Sequence, residues 1–157
     1  MKLAIVIPWF GRELKGGAEQ LAWQMATRLA KRGHGIDVLT TCCRSHQEDW
    51  STNHTAPGVV TEPEGFIVRR FPVDPRNQPA FNLVAAKLQS IPVENLCPGV
   101  SPVDPSEGDI FVNELIRSQS LIEYVTTQRE AYDSFVLLPY LYGPVIHAAM
   151  ILKERAV

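Results

Sequence analysis

The sequence predicts an α/β fold: a Rossmann-like parallel sheet with helices on both faces. Three observations carry this expectation. Leu3 to Ile7 is a short, continuously apolar, β-branched run, the pattern of a strand covered on both faces. From Ala18 the period changes to helical spacing, with Ala18, Leu21, Ala22, Met25, Ala26 and Leu29 along one face. A second apolar run, "GIDVLTT", then follows directly after Gly33, a natural helix stop. Strand, helix and strand in this order form a βαβ unit, whose natural setting is a parallel sheet.

Each element has its own signal. Pro8 ends the first strand because proline donates nothing to a sheet ladder. Gly11 to Gly17 is a polar loop. Arg28, Lys31 and Arg32 crowd the last turn of the first helix, where cations suit its dipole. Cys42 to Glu64 is polar, rich in Ser, Thr, His and Pro, and reads as a long excursion. "GFIVRRFPV" reads as a strand, with Phe66 and Val68, and Phe71 at its end, as packing residues. Pro72 to Pro79 is a loop, and "AFNLVAAKLQ" is helical. "SIPVENLCPGVSPVDPSEGD" is so rich in proline and glycine that it reads as loop throughout. Ile110 to Arg129 is helical with room for a break, and Leu115, Ile122 and Val125 face inward. "YDSFVLLPYLYGPVIHAAMILKERA" closes the chain as strand, loop and helix. Ser134 to Leu152 holds no charge, near the length that crosses a membrane. Pro139, Gly143 and Pro144 interrupt it, which favours a strand and helix of an α/β domain.

The totals narrow the function. A chain of 157 residues, 45% hydrophobic and 20% charged, is enough for one domain with a core, residues 1–157. A formal net charge of -2 argues against nucleic acid or a strongly charged membrane surface as the main partner. Adjacent Cys42 and Cys43 with a distant Cys97 make neither a disulfide framework nor a zinc site. Unpaired thiols fit a reducing compartment, so a cytoplasmic location is expected. No metal-ligand cluster and no cofactor signature stands out, and no repeat or low-complexity tract is present.

The chemistry concentrates at "GRELKGGAEQLAWQ". Gly16 and Gly17 lie where the first strand's loop enters the helix. Glycine lets a ligand come close to the backbone, and a helix start favours anions at the carboxyl end of an α/β sheet. The pair suits a phosphate or a sugar oxygen; a tight turn with close packing and no ligand is the alternative. The stretch matches neither G-x-x-x-x-G-K-[ST] nor G-x-G-x-x-G, which disfavours an ATPase or a dehydrogenase. Two roles fit Glu19 in the first helical turn: complementing the helix dipole, or contacting a sugar hydroxyl. Lys15 fits a solvated charge or a phosphate partner. His147 reads as a packing residue of the last helix. His46, His54 and Trp50 read as solvated, with carbohydrate stacking a second role open to Trp50.

"IVIPWFGRELKGGAEQLAWQMATRLAKRGHGIDVLTT" resembles the opening of the N-terminal domain of GT-B glycosyltransferases, of the large retaining group called family four. "EGFIVRRFPVD" resembles that family's following strand. "YDSFVLLPYLYGPVIHA" resembles a later strand and tyrosine-bearing loop of a subgroup active on cell-surface polysaccharides. The resemblance implies the acceptor-side half of an enzyme that transfers a sugar, with retention, from a nucleotide-sugar donor to a saccharide or lipid-linked acceptor. Gly16 and Gly17, with Lys15 and Glu19, would sit by the donor diphosphate and the transferred sugar, and Tyr140 and Tyr142 by the acceptor. The nucleotide sugar is then a co-substrate rather than a cofactor, and no metal is required. The family's second domain, with its basic residues and E-x7-E pair, is not visible in this sequence. The last strands of the first domain would lie beyond Val157. The chain alone is thus expected to be inactive, and the intact enzyme to associate peripherally with the inner face of a membrane. The alternative from another class is a non-catalytic Rossmann-like module that holds a phosphorylated ligand or a protein partner.

Overall fold

The computed structural model describes residues 1–157. β1 (Lys2–Val6), β2 (Gly35–Thr41), β4 (Ile67–Phe71) and β5 (Ser134–Leu137) run parallel, and β3 (Gly58–Thr61) adds to β4 in the opposite sense. The sheet has five strands in the order β3-β4-β2-β1-β5. The fold is therefore Rossmann-like α/β, with one correction. The segment from Cys42 to Glu64 holds an antiparallel edge strand, so the sheet is mixed.

Alternation along β1 divides the core in two. Ile5 and Ile7 join Ala22, Ala26, Val38, Phe66 and Val68 beneath α1 (Gly17–Lys31). Ala4 and Val6 join Leu39, Leu121, Val125, Val145 and Leu152 beneath α4 (Gln119–Gln128) and α5 (Gly143–Leu152). Helices thus cover both faces, and both sides of β1 are dry, as its unbroken apolar run requires.

α1 turns its expected face to the sheet, with Met25 and Leu29 packed at its edge and Leu21 outside it. Ala22 and Ala26 are fully buried, whereas Leu21 is 48% exposed. Small side chains let the helix lie close to the strands, and Trp23 fills the flank by stacking on Phe10 at 5.3 Å. Gly33 ends the helix at φ +84°, a conformation that favours glycine.

One further correction concerns the helices. α2 (Gln78–Ser90) starts on its Asn77 cap, as the helical pattern implies, but the proline-rich stretch after it is not all loop. α3 (Pro105–Asn113) begins inside that stretch. The Asp104 side chain accepts from the Glu107 amide and the Glu107 carboxylate accepts from the Asp104 amide, with Pro105 at the first helical position. The helical pattern from Ile110 to Arg129 is broken at Glu114–Ser118, where buried Leu115 and Ile116 turn the chain inward. No helix is long and apolar enough to cross a membrane. The uncharged stretch from Ser134 to Leu152 is β5, a loop and α5.

Candidate functional site

Strand order locates the site. The chain builds outward from β1 through β2 to β4 and β3, then returns to place β5 on the other side of β1. The direction of winding switches between β1 and β5, and ligands of open α/β sheets bind in the crevice beyond the carboxyl ends at such a point. The loop from Ile7 to Gly16 leaves β1 there, and the loop from Leu138 to Tyr142 leaves β5.

The first loop is pinned at its root. The Pro8 carbonyl accepts from both the amide (3.1 Å) and the hydroxyl (2.5 Å) of Thr41, at the end of β2. Phe10 is buried and its carbonyl accepts from Arg70 at 3.1 Å. Trp9, between them, is only 3% exposed and projects toward the second loop. Tyr142 meets it edge-on, with ring centroids 4.6 Å apart, and Trp50 joins from the loop after β2 at 6.2 Å from Trp9. The loops of β1, β2 and β5 are thus joined by one aromatic cluster. Burial, and then the nearby Glu19 carboxylate, push the Tyr142 phenol above its ordinary pKa.

Beside this cluster lies an open crevice of about 530 Å³. Trp9, Lys15, Gly16 and Glu19 form one wall, and Arg44, His46 and Glu48, from the loop after β2, form the other. Arg44 is ion-paired with Glu48, which lowers the Glu48 carboxyl pKa. Arg76, stacked over Trp50 at 4.7 Å, donates to the Glu114 carbonyl at 2.6 Å and backs the cluster.

The two glycines differ in kind. At Gly16 a Cβ would collide with the Glu19 carboxylate, whose Oε1 accepts a hydrogen bond from the Trp9 indole. Gly17 is the first residue of α1; nothing lies within 4 Å of where its Cβ would be. Neither glycine has the positive φ that would make the residue obligatory. At Gly17 the fold itself has no need for a missing side chain.

Of the residues singled out from sequence, Lys15, Gly16 and Glu19 line the crevice, and Gly17 adjoins it in the helix start. Tyr142 lies in the cluster beside it. Tyr140 is 79% exposed and borders a separate, wholly apolar groove with Leu137, Ile146, Met150 and Val157. His147 is half-buried in a polar cleft with Asp74, Arg117 and Ser118; burial, then the Arg117 charge, lower its pKa. Sequence reasoning missed Trp9, Arg44 and Arg76 and set His46 aside as solvated, although His46 borders the crevice. The signal available for Trp9, Arg44 and His46 was position: each follows closely on the carboxyl end of a strand. No group of three or more His, Cys, Asp or Glu side chains gathers to hold a metal ion. Cys42 and Cys43 are buried free thiols, and burial pushes both pKa values up.

No protein-family model matches this chain, and no curated protein matches it in sequence.

Proposed function

We propose that this chain is the acceptor-side domain of a retaining glycosyltransferase, one that moves a sugar from a nucleotide-sugar donor to a saccharide or lipid-linked acceptor. The observation that carries the reading is the meeting of the β1 and β5 loops at the switch point, through Trp9 and Tyr142, beside a helix start left open at Gly17. Such a crevice accepts a polar ligand close to backbone, walled by aromatic rings and by carboxylates and cations that match hydroxyl groups.

In this reading the chain's own residues orient rather than cleave. Trp9, held from behind by Tyr142, forms part of the wall of the cleft, and Gly17 lets the reacting sugar approach the start of α1. Lys15 adds a cation near the diphosphate that leaves as the donor's sugar–phosphate bond breaks and the bond to the acceptor forms. Donors aimed at developing charge are worth roughly 3 kcal/mol apiece in a barrier. In this scheme a second domain supplies the larger cationic share, along with the nucleotide site.

The test is sugar transfer by the native protein, purified from its source and incubated with labelled UDP-, GDP- and TDP-sugars and an extract of candidate acceptors. Transfer of label with retained anomeric configuration is the expected result, while the 157-residue chain alone is expected to turn over none of the donors. Failure of the native protein to transfer any of them, or turnover by the chain alone, contradicts the proposal.

A further inference from the structure

Residues 78–113 form an arm rather than a layer over the core. Of positions 75–114 only Val84 is buried. α2 and α3 pack on each other, with Phe81 stacked on Phe111 at 5.3 Å and Lys87 paired with Glu107 at 2.6 Å. Every hydrogen bond made by residues 78–113 stays within the arm or ends on its own root, at Asn77 and Glu114. No hydrogen bond ties the arm to the sheet or to another helix.

The two ends of the arm cross side by side. The Asp74 amide donates to the Arg117 carbonyl at 3.0 Å, Arg76 Nη1 donates to the Glu114 carbonyl at 2.6 Å, and the Asn77 amide donates to the Glu114 carboxylate. An element joined to a rigid body at one such crossing turns about it, because the few residues at element ends absorb the change in φ and ψ. A cavity of about 140 Å³ lies against this crossing, between Asp74, Asn113, Arg117 and Gly143 at the start of α5. Loose packing there leaves room for the turn.

Beyond its root the arm meets the body at an aromatic seat. Trp50, whose indole donates to the His46 carbonyl at 3.2 Å, lies 5.9 Å from Phe81. The Arg76 guanidinium stacks over both rings, at 4.7 Å and 5.0 Å. This seat is poised rather than locked. Arg76 Nε is buried with no hydrogen-bond partner, and burial lowers the guanidinium pKa. Leaving the seat gives up the stacking but opens that donor to water. The Trp50 ring also faces Trp9 at 6.2 Å and Tyr142 at 5.9 Å, so one side chain touches both the arm and the aromatic cluster of the crevice.

We infer that α2 and α3 form a hinged arm that turns about the crossing of Asp74–Asn77 with Glu114–Arg117, and that its seating on Trp50 orders the aromatic wall of the crevice. The motion belongs to the chain itself; its bearing on substrate rests on the sugar-transfer reading.

The experiment is a spin-label distance measurement on the full chain. Cys97 lies on the arm and is exposed, whereas Cys42 and Cys43 are buried. One nitroxide therefore goes on Cys97 and the other on a second cysteine, Arg28→Cys, on the exposed side of α1. Two distance populations are expected, about 10 Å apart, the sweep that a tilt of about 30° gives the tip of an arm about 20 Å long. Arg76→Ala should move most of the population to the unseated distance. Phe81→Leu, which removes the ring from the arm's side of the seat, should do the same and serves if the first variant does not fold. The Trp9 indole resonance should shift in both variants, through Trp50. One distance population, unchanged in both variants, would overturn the hinge. Moved distances with an unmoved Trp9 indole would overturn its link to the crevice. No donor or acceptor is added, so neither result can be mistaken for a failure of sugar transfer.

Discussion

At the scale of single residues, the buried carboxylate of Asp37 ties three elements together. Its Oδ2 accepts from Arg69 on β4 at 2.9 Å and from Tyr132, just before β5, at 2.6 Å. Tyr132 in turn meets the Tyr124 hydroxyl of α4 at 2.9 Å, and burial followed by its bond to Asp37 holds its phenol well above the usual range. Tyr132→Phe leaves the ring in place and removes two hydrogen bonds, one to the buried Asp37 carboxylate and one shared with the Tyr124 hydroxyl. A loss of about 1–3 kcal/mol is expected in urea unfolding; an unchanged midpoint would show that the bonds contribute nothing. His147 makes a second prediction. Its folded pKa lies below its ordinary 6.5, so the unfolded chain takes up more protons between those two values. Its contribution is therefore fully present above about pH 6.5 and is lost as the pH falls towards the folded value. His147→Gln should flatten the decline in stability between pH 7 and pH 5. An equal decline in both proteins would remove His147 as the cause.

At the scale of elements, caps and edges decide what holds and what loosens. α3 is capped at its N-terminus by the reciprocal bonds of Asp104 and Glu107, yet buries none of its residues. Asp104→Ala should therefore cost about 1 kcal/mol locally. It should show as faster hydrogen exchange in α3, with sheet amides unchanged. Global destabilisation instead would mean that α3 is part of the core. This same helix shows why some elements were hard to read in sequence. "DPSE" carries a capping residue, a first-turn proline and an acidic third position, but its proline and the glycine that follows also spell loop. β3 was hidden for a different reason. All four of its residues are exposed, so no alternation marks it against the polar segment around it. By contrast β1, α1 and β2 were plain, because a doubly buried strand must be apolar throughout and Gly33 marks the stop. Within the expected face of α1, Ala22 and Ala26 are buried and Met25 and Leu29 pack against the same core, while Leu21 turns out to solvent.

At the scale of the whole molecule, function depends on which loops the strand order brings together. Gly16, Gly17 and Glu19 were legible because a strand-to-helix turn announces itself in one continuous stretch. Trp9, Arg44 and His46 were not, since their meeting requires β1 to lie beside both β2 and β5, and no local pattern encodes that order. The central claim is that the start of α1 is open for a substrate rather than for packing, and Gly17 tests it most directly. Gly17→Val in the native protein adds a side chain at a position where nothing lies within 4 Å of its Cβ. The measurement is sugar transfer and thermal unfolding, side by side, for native protein and variant. Stability should stay within about 1 kcal/mol, while transfer should fall by about a hundredfold or more, the penalty of a displaced substrate. A variant that keeps its full transfer rate with an unchanged melting curve would contradict the account, because the open glycine would then have no ligand to admit.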